Sequence, residues 1–121
     1  MTSQPKRHAG GCHCGKVRFT VDVDLDAELM TCNCSICGRT GSIMTFVPDA
    51  AFTLVSGQDA LTDYQFGARR VHHLFCSTCG VRAFGRGTNG KGERVVMINA
   101  RCVDDVDLGA LRTRQFDGKS L

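Results

Sequence analysis

Eight cysteines in 121 residues are the strongest chemical signal in this chain. Seven fall into three clusters: Cys12-His13-Cys14, Cys32-Asn33-Cys34-Ser35-Ile36-Cys37 and Cys76-Ser77-Thr78-Cys79. Cys102 stands alone. Disulfides and metal ligation compete to explain such a count. The start, Met1 to His8, is polar and basic with no apolar run behind it, which predicts no secretory leader and a cytoplasmic, reducing setting. No stretch reaches the ~18 apolar residues of a membrane span. Thiols kept reduced favour metal over disulfides.

The third cluster has the form of a zinc knuckle, two thiols separated by two residues and followed by Gly80. A structural zinc takes four such ligands in a tetrahedron, so two more must come from elsewhere. The candidates are Cys12 with Cys14, or a pair from the second cluster. Cys32, Cys34 and Cys37 lie within one six-residue loop and can hold an ion by themselves. That leaves Cys12 and Cys14 to join Cys76 and Cys79 in a closed site of four thiolates. Such a clip would add its binding free energy directly to folding. A rubredoxin-like iron site pairing Cys34 and Cys37 with Cys76 and Cys79 is the competing arrangement. It strands Cys12, Cys14 and Cys32, so two zinc sites are the preferred reading.

Three protein ligands and an open position are the catalytic pattern for zinc. The inert alternative is that Cys102 or a histidine closes the second site. His8 falls in an N-terminal stretch read as a tail, and His13 sits between two ligands. His72 and His73 are adjacent, so on a strand they face opposite ways.

Short strands must position these clusters. Val17, Phe19, Val21 and Val23 alternate with polar residues, as a half-buried strand requires. Further strand signals run over 42–47, 52–55, 61–66, 71–75, 81–84 and 94–99. A glycine-rich loop is expected over 85–92. The helical suggestion is 103–111, with Asp104 or Asp105 as cap. Strands at this spacing predict a mainly β single domain over 9–121, a sandwich or folded sheet, preceded by a flexible tail over 1–8.

Net charge is only +3, but between Arg69 and Arg101 there are seven basic residues and one acid, Glu93. That segment reads as a solvated basic face or as attraction for a carboxylate-bearing ligand. Its aromatics do not interleave with the basic residues, which argues against a nucleic-acid platform.

Four segments together resemble the glutathione-dependent formaldehyde-activating enzyme family, which includes centromere protein V. They are Gly11-Cys12-His13-Cys14-Gly15-Lys16-Val17-Arg18-Phe19, Cys32-Asn33-Cys34-Ser35-Ile36-Cys37, Phe75-Cys76-Ser77-Thr78-Cys79-Gly80 and Ile98-Asn99-Ala100-Arg101-Cys102. The ending Phe116-Asp117-Gly118-Lys119 is similar to the family's close. The resemblance implies a β-tent of short antiparallel strands stapled by zinc. It implies two zinc ions, with Cys12, Cys14, Cys76 and Cys79 structural and Cys32, Cys34 and Cys37 around a catalytic ion. It also implies a carbon–sulfur lyase that joins glutathione and formaldehyde. Arg39, just past the three-cysteine loop, is the candidate contact for a substrate carboxylate. Two other functions stay open: a non-enzymatic zinc module that binds a partner, and a thiol redox or metal-handling protein.

Overall fold

Alternation along β2 (Arg18–Val23) buries Phe19, Val21 and Val23 while Thr20 and Asp22 stay half-buried, as the sequence pattern requires. The computed structural model, which describes residues 4–120, places β2 at the centre of an antiparallel sheet, β1-β2-β5. Strand β1 spans Lys6–Gly11 and β5 spans Phe52–Ser56. A second sheet has seven strands in the order β10-β3-β4-β9-β8-β7-β6. These are β3 (Leu29–Cys32), β4 (Met44–Pro48), β6 (Leu61–Tyr64), β7 (His72–Cys76), β8 (Phe84–Thr88), β9 (Arg94–Asn99) and β10 (Thr113–Phe116). Neither sheet closes on itself, and the fold is mainly β.

One cluster of buried side chains joins the two sheets. Phe19 and Phe52 from the first meet Phe84 from the second, with ring centroids 4.7–6.3 Å apart. Val17, Val21, Val96 and Ile98 pack with them. Each such aliphatic or aromatic side chain contributes about 1.5–3 kcal/mol when fully buried, so this contact, more than any ion pair, holds the sheets together. Cys12 and Cys76 belong to the same cluster.

Five expectations change. Residues 6–8, read as part of a tail, pair with β2 from Lys6↔Val23 onward, so the ordered domain starts before residue 9; residues 1–3 of that tail lie outside the described residues. The glycine-rich stretch 85–92 is a strand for its first half. Gly85 and Gly87 lie in β8, and glycine suits position 85 because a β-carbon there would sit 3.0 Å from the His72 carbonyl oxygen on the neighbouring strand. Only Asn89–Gly92 turns, with Gly92 N–H donating to the Asn89 carbonyl. The helical turn comes late, at Leu108–Ala110, and Asp107 caps it through Gly109 N–H at 3.1 Å. Asp104 is instead committed to Arg18. Finally, not every pair is antiparallel: β10 lies parallel to β3, Thr113↔Leu29 through Phe116↔Cys32.

Candidate metal centres

The tight turn after β1 carries Cys12 and Cys14. Cys12 N–H donates to the Val17 carbonyl at 3.0 Å, and Val17 N–H donates to the Cys12 sulfur at 3.3 Å. The turn after β7 carries Cys76 and Cys79. Cys76 N–H donates to Val81 and Gly80 N–H to Cys76. Gly80 adopts φ +77°, a left-handed conformation that glycine takes without strain. The fold brings these two turns, one from each sheet, face to face.

The four sulfurs lie within 4.8 Å of one another. Cys12–Cys14 and Cys14–Cys76 are each 3.6 Å apart. A zinc tetrahedron with 2.3 Å bonds has sulfur–sulfur edges of about 3.8 Å, whereas a disulfide needs about 2.05 Å. All eight cysteines are free thiols. Backbone N–H groups of Cys14 and Val81 aim at the Cys79 sulfur and bring its pKa down to about 6. Sulfur spacing and the four-thiol donor set fit zinc at this position.

Cys32 ends β3, and Cys34 and Cys37 follow in a loop that passes into the single turn α1 (Cys37–Thr40). Gly38 N–H donates to the Cys34 carbonyl and Thr40 N–H to Ile36, which curls the loop around its sulfurs. These three sulfurs also lie within 4.8 Å of one another. Among the described residues no fourth Cys, His, Asp or Glu joins them at that range. Burial and the neighbouring Cys34 push the Cys37 thiol up to about 12. Burial opposes ionisation of Cys34 too, but N–H groups of Cys37 and Ile36 and the neighbouring thiols bring its pKa below the ordinary value.

Neither candidate for closing this site does so. Cys102 packs beside the four-cysteine cluster, its thiol directed at the Arg82 carbonyl at 3.9 Å. Burial pushes that thiol up to about 11. His72 pairs with Asp63 at 2.6 Å. His73 is buried, stacked on Phe66 at 5.3 Å, and burial keeps its pKa low.

The C-terminal segment builds one wall of the three-cysteine site, a role the sequence did not reveal. Asn33 ties it down: its side-chain NH₂ donates to Asp117 at 2.8 Å, and its side-chain oxygen accepts from Lys119 N–H at 2.9 Å. Gly118 thereby sits so close that a β-carbon on it would be 2.6 Å from the Cys32 sulfur. Gly118→Ala is therefore expected to cost the chain the metal of this site and to leave the four-cysteine site loaded. Metal analysis of the folded variant checks this; a variant holding as much zinc as the wild type would show that the wall yields.

Beside the loop lies a recess of about 410 Å³ lined by Ser35, Ile36, Arg39, Tyr64 and Phe66. Tyr64 and Phe66 stack at 5.7 Å, and both are exposed. Arg39, exposed, donates to the Ser35 carbonyl at 2.9 Å, which leaves most of its guanidinium free. The basic segment is divided. Arg70, Arg86 and Arg94 surround a separate recess with His72, on the opposite side of β8 and β9 from their Phe84 and Asn99 ends. Arg82 instead lies over Gly85, with Nε and Nη1 buried and without a hydrogen-bond partner.

Fold and sites define a small, mainly β protein with one closed and one open cysteine cluster. The chain belongs to the family of glutathione-dependent formaldehyde-activating enzymes, whose model matches residues 7–116. It is similar to a Rhodobacter sphaeroides protein of known crystal structure, a structural genomics target. The two share 31% identity over 88% of this chain and 99% of the other, with a TM-score of 0.75. Among the described residues no helix is long and apolar enough to cross a membrane.

Proposed function

We propose that the chain is a zinc-dependent carbon–sulfur lyase of the S-(hydroxymethyl)glutathione synthase type, joining a thiol such as glutathione to formaldehyde and reversing that step. The observation that carries this reading is the three-cysteine set, which no fourth Cys, His, Asp or Glu among the described residues closes and which lies beside a recess. Cys32, Cys34 and Cys37 would hold the zinc of this site, and Cys12, Cys14, Cys76 and Cys79 a structural one. Zinc at the open site would favour loss of the proton from a thiol placed there.

In the reaction the thiol sulfur forms a bond to the formaldehyde carbon. The carbon–oxygen double bond becomes single, and the proton lost from sulfur ends on oxygen. Formaldehyde offers little to recognise, so the chain's residues act mainly on the thiol partner. Ile36, Tyr64 and Phe66 offer its backbone an apolar wall. Arg39 has free N–H groups for a carboxylate. Asn33 holds the C-terminal segment against the loop.

Zinc-loaded protein is expected to speed the glutathione-dependent loss of formaldehyde. Arg39→Ala should raise KM for glutathione about 3- to 10-fold with kcat unchanged, because it removes a contact made equally before and during reaction. Cysteamine, which has no carboxylate, should show no such rise. Equal glutathione KM in variant and wild type would remove Arg39 from the site. A zinc-loaded wild type that accelerates the reaction of no thiol would overturn the lyase reading.

A further inference from the structure

Strand β7 stops pairing with β8 at His72↔Arg86, while β9 follows β8 two residues further, to Thr88↔Arg94. A recess of about 380 Å³ opens where β7 ends. The chain before β7 runs close to Gly87 without pairing with it: a β-carbon on Gly87 would lie 3.7 Å from the Arg70 carbonyl oxygen and 3.8 Å from the Val71 side chain. Strand alternation puts His72, Arg86, Thr88 and Arg94 on the face that carries Phe84 and Val96, so these polar groups take over where the buried core ends.

Three guanidiniums, Arg70, Arg86 and Arg94, line the recess with His72 and Thr88, against one carboxylate, Asp49. Asp49 is committed to Arg86, its Oδ1 accepting from Nη1 at 2.7 Å. The Arg86 guanidinium also lies over the Phe52 and Phe84 rings, 5.2 and 5.5 Å from their centroids. It is therefore held in place before any ligand arrives. His72 is tied to Asp63 at 2.6 Å. Arg70 and Arg94 are exposed, and among the described residues neither has an ion pair or a side-chain hydrogen bond. Cys76 of the closed site lies four residues along β7 from His72, about 13 Å at the strand rise, and no cysteine lines the recess.

The lining thus keeps an excess of positive charge and two unpaired guanidinium forks. A carboxylate offers one negative charge and can occupy one fork. A phosphate group offers nearly two charges and three acceptor oxygens, enough for both forks and the Thr88 hydroxyl. The volume falls in the range of about 300–1,000 Å³ usual for small-molecule sites. A single-stranded nucleic acid would call for aromatic platforms, and no Phe, Tyr or Trp lines the recess.

We propose that this recess is a second ligand site, separate from both cysteine centres, which binds the phosphate group of a small molecule between Arg70 and Arg94, with Arg86 fixed behind it. The proposal is independent of the lyase reading.

The test is a titration of the zinc-loaded, full-length chain with inorganic phosphate and with glycerol phosphate at constant ionic strength, read by ¹⁵N NMR. Amide signals of Gly87, Thr88 and Arg94 should move along one saturable curve, and those of residues 32–37 should stay. Arg70→Ala and Arg94→Ala should each weaken phosphate binding about 3- to 10-fold, and the double variant about tenfold or more. Arg101→Ala removes the same charge beyond the other end of β9 and should stay within about twofold. Equal losses in Arg94→Ala and Arg101→Ala would reduce the effect to net charge and overturn the proposal. No saturable shift with either phosphate in the wild type would do the same, as would acetate moving the same signals equally. A single-stranded oligonucleotide that binds through Arg70 and Arg94 more tightly than either phosphate would assign the surface to nucleic acid and overturn the small-molecule site.

Discussion

Cys76→Ala is expected to unfold or aggregate at temperatures where the wild type is fully folded. Cys76 is completely buried and sits in the cluster that joins the two sheets. Its sulfur lies 3.6 Å from that of Cys14, on the turn of the other sheet. A structural zinc supplies about 10–16 kcal/mol of apparent binding free energy at neutral pH, against a net stability of about 5–15 kcal/mol for a domain of this class. Loss of one thiolate from four removes a large share of that term, and the shortened side chain leaves a cavity in the core as well. Circular dichroism on heating reads the effect, with a midpoint expected to fall by more than about 15 °C. A fall of only a few degrees would mean that the closed site does not hold the sheets together.

Cys34→Ala is expected to do the opposite: keep the fold and lose the chemistry. Cys34 is half-buried in a loop at the margin of the second sheet and lies outside the main buried cluster. Its midpoint should stay within a few degrees of wild type. Two sulfurs make a poor zinc site, so the variant should retain one ion per chain where the wild type should hold two. Activity should fall by about a hundredfold or more, because without the ion the substrate thiol stays largely protonated at neutral pH. Equal losses of stability in Cys34→Ala and Cys76→Ala would contradict the division of labour between the two sites.

The cysteine grouping was legible in the sequence because each cluster is local. Two residues between thiols fix a turn, and Cys32, Cys34 and Cys37 have no room to lie apart. Pairing Cys12 and Cys14 with Cys76 and Cys79 was reached by elimination, and the sheets bring those four sulfurs together. Alternation announced β2, and the apolar run over 95–98 announced β9. Strands β1, β3 and β10 escaped because they bury too little side chain to show alternation: β1 buries only Gly10 and Gly11, β3 only Leu29, and β10 is exposed throughout. Gly85 reads as loop because the close approach of β7, which favours glycine there, cannot be seen in one strand alone. The same holds around the open site. Gly118 is 84 residues beyond Cys34 in sequence and matters through a contact that only the folded sheets create.

The most direct test of the open site as a lyase centre is exchange between ¹³C-formaldehyde and S-(hydroxymethyl)glutathione, measured by NMR. Formaldehyde and glutathione combine spontaneously, so the quantity to read is the rate above that background. Wild type carrying two zinc ions should raise it in proportion to enzyme concentration, and folded Cys34→Ala should leave it at background. A folded, two-zinc wild type that leaves the exchange at the spontaneous rate would contradict this account.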